Sequence, residues 1–341
     1  MIAILTIIEV IFLIGFLIFI HEGGHYIAAK LSKVKVKEFA IGFGPVLYRK
    51  QGKETLFTLR AIPFGGFNDL LGESERVPDK DAFCNAKLSK RIFIILAGGL
   101  VNIIFGLIVY FIVALVFAQI PSTTIAELMQ ECKIVESGVE VGDTIIKLDD
   151  VEINEKTDID HFMLDTKGQD VRMTVRKPNG DIKEYLVHQT EYNGTYILGV
   201  SAAPKDAVSF DQRVNYATES TVVFVYKTYV SVKNMFTGNF RMEQVMGPIG
   251  IGELVAESNT LDNFVYLLSV ISISLGVTNL LPLPALDGGK FVLLVVEGIR
   301  RKPLKEETEL AINSLGFVFL ISLAIFVATN DLVRILRGVL G

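Results

Sequence analysis

Along most of this chain apolar residues run together instead of alternating with polar ones. Four runs stand out: Ile2–Ile20, Ile92–Ala118, Phe264–Leu286 and Leu310–Asn330. The first carries one charge, Glu9, and the second carries none. A helix crosses the hydrocarbon core with about 20 mainly apolar residues, so each run predicts a transmembrane helix. A cleaved signal peptide is the alternative for the first run. No basic segment precedes that run, however, and His21 and Glu22 follow it where small residues would mark a cleavage site. A weaker stretch, Ala217–Phe236, contains Glu219, Lys227 and Lys233. It reads as a helix lying on the membrane surface or packed on the bundle, with a fifth span as the alternative.

Between the second run and this stretch the pattern changes. Short β-rich segments at Thr144–Leu148, Val171–Arg176, Lys183–Val187 and Tyr196–Val200 are separated by turn signals, Pro178-Asn179-Gly180-Asp181 and Asn193-Gly194. Together they predict a small water-facing β-rich domain. Alternation in Glu54–Ala61 predicts one more short strand, before the second span.

Composition and charge then set the orientation. The 341 residues are 50% apolar, and 33 basic against 38 acidic residues leave a formal charge of −5. That balance gives no basic bias toward nucleic acid, and none is expected as a partner. Cys84 and Cys132 are too few for a disulfide-rich scaffold or an all-cysteine zinc site. Residues Lys30–Arg91 hold 13 Lys/Arg against 7 Asp/Glu, whereas Pro121–Arg213 hold 10 against 18. Positive charge is retained on the cytoplasmic side, so the first loop is expected inside and the acidic segment outside. Arg300, Arg301, Lys302 and Lys305 put the loop after the third span inside as well. Arg334 and Arg337 run against the outside C-terminus that four spans imply.

The first run ends in His21-Glu22-Gly23-Gly24-His25. Histidines four apart share one face of a helix and can offer two imidazole nitrogens to one Zn²⁺. Glu22 between them can accept a proton from water. The bland alternative is a pair of interface histidines beside a chance glutamate, but ionisable groups at membrane depth are costly and usually functional. A catalytic zinc site takes three protein ligands. Asp287 is the first acidic residue after the uncharged stretch of the third run, and it follows Pro282 and Pro284 and precedes Gly288 and Gly289. It can be a solvent-facing helix terminator or the third ligand. Its matching depth and side favour the ligand.

These residues resemble the site-2 protease family of intramembrane zinc metalloproteases, and most of all its bacterial members with one PDZ-like domain. The His-Glu-x-x-His signature is carried by His21, Glu22 and His25, and Asn-x-x-Pro-x-Pro-x-Leu-Asp-Gly runs in full from Asn279 to Gly288. The resemblance implies Asp287 as third zinc ligand and Asn279 near the site, orienting substrate or polarising its carbonyl. It implies a membrane-reentrant β-hairpin from Gly42-Phe43-Gly44-Pro45, a substrate-touching loop at Pro63-Phe64-Gly65-Gly66-Phe67, and a counterpart of the segment before the third span at Gly247-Pro248-Ile249-Gly250-Ile251. One departure stands in the second run. The family's Ala-Gly-Pro-x-x-Asn appears as Ala97-Gly98-Gly99-Leu100-Val101-Asn102, which should soften a local kink. Asn102 itself is expected either to make an interhelical hydrogen bond or to clamp substrate. Ser137 to Asp150 resembles the core of a PDZ domain, with Asp150 where a glycine is usual.

The expected architecture is a polytopic α-helical membrane protein with about four transmembrane helices, a membrane-associated β-hairpin and one extracytoplasmic PDZ-like β-rich domain. Its expected parts are 1–120 with the zinc motif, 121–205 as the PDZ-like domain, 206–262 as a membrane-associated linker, and 263–341 with the last two spans. The expected function is zinc-dependent hydrolysis of peptide bonds in or near the transmembrane segment of single-span proteins. It would take place in the bacterial cytoplasmic membrane, with the active site toward the cytoplasmic face. The PDZ-like domain would screen trimmed substrate tails, as the resemblance implies. A transporter or membrane scaffold with a peptide-binding domain is the rival reading, and it leaves the paired histidines and Asp287 unexplained. A catalytically silent homologue is a second rival, opposed by the intact Glu22.

Overall fold

The computed structural model describes residues 2–73, 75–166, 168–192, 195–205, 207–237, 248–258 and 260–340. They form two units, Met1–Tyr110 with Met246–Gly341, and Phe111–Val245. In chain order, α1 (Ile2–Ser32) leads into strands β1 (Val36–Gln51) and β2 (Leu56–Leu70), then α2 (Leu88–Val116). The next segment holds β3 (Pro121–Leu128), β4 (Thr144–Leu148), β5 (Val151–Glu152), α3 (Lys156–Asp165), β6 (Asp170–Arg176) and β7 (Ile182–His188). It continues with β8 (Thr190–Tyr192), β9 (Thr195–Ile197), β10 (Val200–Pro204) and the long helix α4 (Phe210–Thr237). Helices α5 (Pro248–Glu257), α6 (Leu261–Asn279), α7 (Asp287–Arg300) and α8 (Glu306–Leu340) complete the chain.

Among the described residues four helices are long and apolar enough to cross a membrane: Thr6–Ser32 of α1, α2, α6, and Glu306–Thr329 of α8. The chain is a multi-pass membrane protein with a β-rich domain. α4, which contains the Ala217–Phe236 stretch, is not among the four. Two boundaries differ from the apolar runs. α1 does not stop at Ile20 but continues to Ser32, so the histidine motif lies inside the helix. The third run extends to Leu286, with two prolines expected to break the helix near Asp287, and α6 already ends at Asn279. Leu280–Leu286 is apolar but carries Pro282 and Pro284, which lack a backbone N–H and push the preceding residue out of the helical region.

In the β-rich domain the strands run in the order β10-β3-β4-β6-β7, all antiparallel, with β5 paired to β4. Period-2 alternation decides which face is buried: Val171, Met173 and Val175 of β6 point inward while Asp170, Arg172 and Arg176 point out. They pack with Ile125, Ile134, Ile145, Leu148 and Val187 into one core. Leu148 is fully buried at its centre. Leu148→Ala should destabilise this domain by about 2–5 kcal/mol, read as lost amide-exchange protection in β4 and β6 of the full chain. Unchanged protection would contradict this placement.

The predicted Tyr196–Val200 strand is in fact two, β9 and β10. Gly199 turns the chain between them at φ +82°, where an added Cβ would stand 2.4 Å from Cys132 Cβ. The Pro178–Asp181 turn is made as expected, with Lys177 N–H donating to Asp181 O at 2.8 Å and Gly180 at φ +92°. Asn193, Gly194 and Gly247 lie outside the described residues, as do the side chains of Pro63, Phe64, Arg334 and Arg337. Helix α3 was not anticipated from its charged sequence. Its capping box, formed by Glu155 and Asp158, is the local signal for it.

The strand expected at Glu54–Ala61 is the first part of the longer β2, which pairs with β1 as a bent hairpin. Glu38, Phe39, Ala40 and Ile41 pair on one side with 66–69 and on the other with 56–59. This fold-back brings the stretch 66–69 over α1. Phe39 anchors it there, its ring 6.1 Å from Phe19, 5.5 Å from Tyr26 and 5.9 Å from Phe57. Arg60 braces the bend by bonding Glu38 at 2.7 Å and stacking on Phe67 at 5.1 Å. Burial opposes the Glu38 carboxylate. The Thr58 hydroxyl and the Arg60 guanidinium outweigh it and hold the group below its ordinary pKa.

Candidate metal centre

Three helix contacts assemble the site, and glycine permits each of them. α1 meets α2 at Gly24, where an added Cβ would lie 2.7 Å from Ala97 O. A Cβ on Gly98 would lie 2.2 Å from His25 Nε2. α2 meets α6 where a Cβ on Gly276 would lie 2.5 Å from Gly99 O. Small residues of this kind let helix backbones approach closely in a membrane. Gly99, which stands where the family motif has proline, has its own reason here: a Cβ on it would strike Leu280 Cγ at 2.7 Å. Asn102 sits in the same α2–α6 seam, fully buried. The interhelical bond at this position runs to the Asn102 backbone and not to its side chain as expected, with Ser272 Oγ–H donating to Asn102 O at 2.8 Å. Its side-chain amide has no partner among the described residues.

Asp287 is the first residue of α7. The chain doubles back to reach it. Ala285 sits in the left-handed region at φ 69°, and Gly288 and Gly289 lie against the carbonyls of Leu281 and Leu283 at Cβ distances of 2.2 Å each. Only glycine fits such an approach. Ion pairs then fix α7. Arg91 of α2 bonds Glu297 at 2.7 Å, and Lys290, one turn beyond Asp287, bonds Glu73 at 2.7 Å. Burial disfavours the Lys290 ammonium, but the Glu73 carboxylate outweighs it and raises its pKa.

The outcome is a triangle of donor atoms. His21 Nε2 and His25 Nε2 are 3.2 Å apart, and each is 3.2 Å from Asp287 Oδ2. Ligand atoms about 2.0–2.1 Å from a tetrahedral zinc stand about 3.3 Å from one another, so the triangle is one face of such a site. Asp287 Oδ2 is buried and has no hydrogen-bond donor of its own among the described residues. His25 Nδ1–H donates to Ile94 O at 2.8 Å, which directs the Nε2 lone pair at the centre of the triangle. The donor set of two imidazoles and a carboxylate fits zinc. Together the three residues form the metal-ligand cluster found among the described residues.

Glu22 lies beside this cluster but outside it. Its Oε2 and its backbone carbonyl both accept from Asn68 Nδ2 of β2, at 2.7 and 2.9 Å. Sequence reasoning did not single out Asn68, because its reach depends on the fold-back of the hairpin. Asn279 closes α6 and is partly buried, and no hydrogen bond ties its side chain to the cluster among the described residues.

A profile for peptidase family M50 matches residues 9–323. The chain belongs to peptidase family M50. This M50 peptidase is 35% identical to a protein of Clostridium acetobutylicum assigned as a zinc metalloprotease, over 94% of this chain and 95% of that one. A Clostridium perfringens protein with the same assignment is 31% identical over 93% and 95%. The zinc metalloprotease RasP of Shouchella clausii is 25% identical over 97% and 99%. The M50 peptidase is thus a membrane-embedded zinc enzyme with His21, His25 and Asp287 clustered to take the metal.

Proposed function

We propose that this M50 peptidase hydrolyses peptide bonds in or beside the transmembrane segment of single-span membrane proteins, on the cytoplasmic side of a bacterial cytoplasmic membrane. The observation that carries this reading is the His21/His25/Asp287 triangle beside Glu22, with His21, Glu22 and His25 inside a helix apolar enough to cross the bilayer. Zinc held by His21, His25 and Asp287 would supply Lewis acidity toward water and the scissile carbonyl. Glu22 takes the proton from the attacking water and returns it to the leaving amine. Asn279, at the end of α6, orients the substrate carbonyl. A substrate helix hides its peptide groups in its own hydrogen bonds and must unwind before cleavage. The 66–69 stretch, whose Gly66 lies within 3.0 Å of Glu22 Cγ at its Cβ position, offers those groups a strand to pair with. The cytoplasmic placement rests on the basic 30–91 loop and the acidic 121–213 segment. The β-rich domain, outside in that orientation, screens substrate tails, so that single-span proteins already trimmed by another protease are preferred.

The test uses the full chain in detergent with a single-span substrate. Cleavage should map within or beside the apolar segment by mass spectrometry. A chelator should abolish it and zinc restore it. Cleavage that survives removal of the metal, or that occurs only in soluble tails, would sink the reading.

A further inference from the structure

We infer that Asn68 is the positioning residue for Glu22. The inference rests on the reading of Glu22 as the group that transfers the proton. An asparagine amide can donate only through nitrogen, and Asn68 Nδ2 faces two oxygens of one residue, Glu22 Oε2 at 2.7 Å and Glu22 O at 2.9 Å. That pair of acceptors fixes which end of the amide points at α1. It also fixes the carboxylate relative to its own backbone, since one nitrogen holds both. With Oε2 committed to Asn68, Oε1 is left to exchange the proton.

The surroundings make this the purpose of the contact. Asn68 Oδ1 is buried and without a partner among the described residues. Burying an unpaired acceptor costs stability, and a residue kept only for packing would be apolar here. Gly66, two positions earlier on the same face, would place a Cβ 3.0 Å from Glu22 Cγ and 3.0 Å from Ile18 Cγ2. The strand therefore approaches Glu22 as closely as a backbone can, and Asn68 is the side chain that reaches it. Phe39, paired with Asn68 in the register, seats this part of the strand on α1. Hydrogen-bond partners that orient reacting groups are typically worth about 10- to 100-fold in activity.

The test compares native chain, Asn68→Leu, Asn68→Gln and Glu22→Gln as zinc-loaded full-length proteins on one single-span substrate. N68L should lower kcat about 10- to 100-fold with KM within about twofold and zinc content unchanged, because only the aim of Glu22 is lost. N68Q, which keeps an amide donor, should recover most of kcat. In the E22Q background N68L should cost nothing further. If N68L does not fold, N68A is read in the same way. Native kcat in N68L, a loss confined to KM, a parallel loss of zinc, or N68Q as impaired as N68L would each overturn the inference while E22Q keeps its large loss of kcat. Full cleavage by E22Q would overturn the reading beneath it.

Discussion

Glu22→Gln is expected to lower kcat by about 10²- to 10⁴-fold, the range for loss of a positioned acid–base group, while the protein still binds one zinc per chain. The two halves of this outcome come from separate features of the site. Glu22 is not part of the donor triangle, so the metal keeps its three ligands. Glutamine has nearly the shape of glutamate, and its amide oxygen can still accept from Asn68 Nδ2, so the strand stays seated over α1. What is lost is a group that can carry a proton from water to the leaving amine. Metal analysis alongside cleavage of a single-span substrate separates the effects. A variant that loses zinc would put Glu22 among the ligands. One that cleaves above a tenth of the native rate would remove it from the reaction.

Gly98→Ala is the second large effect. An added methyl would stand 2.2 Å from His25 Nε2 and 2.7 Å from both Cδ2 and Cε1, closer than any real contact. The imidazole cannot retreat freely, because its Nδ1–H is tied to Ile94 O one turn earlier on the same α2 helix. Helix propensity works the other way, since alanine is about 0.8–1.0 kcal/mol better than glycine inside a helix. The variant should therefore insert and remain helical while losing zinc and activity together. Zinc content and circular dichroism on the same detergent sample check this. Native zinc binding by G98A would show that His25 has another position available and would refute the geometry.

Much of this site was legible because two of its ligands obey a local rule. His21 and His25 share a face through the helical period, and Asp287 could be matched to them by its depth and side. The residues that complete the chemistry follow no such rule. Gly98 stood in the sequence only as a matching glycine of a family motif, and its need for an absent side chain becomes visible only when His25 is placed against it. Asn68 belongs to a strand whose fold-back over α1 depends on irregular pairing between β1 and β2. The apolar run of the third span outlasts its helix for a related reason. Hydropathy counts Leu280, Leu281, Leu283 and Leu286 as membrane-like, although Pro282 and Pro284 among them are helix breakers, a signal the sequence also carries. The β-rich domain was found through its short β-rich segments and turn signals, whereas α3 went unnoticed because its apolar face, Ile159, Phe162 and Met163, is short and interleaved with charges.

The metal ligands come from opposite ends of the chain, two from α1 and one from the start of α7. Synthesis runs from the first to the last, so the histidines are made long before the aspartate. Until α7 emerges and docks through Arg91 and Lys290, the growing polypeptide has two ligands, one short of a catalytic zinc site. A chain that ends before Asp287 should therefore carry only two of the three ligands and should not cleave a single-span substrate.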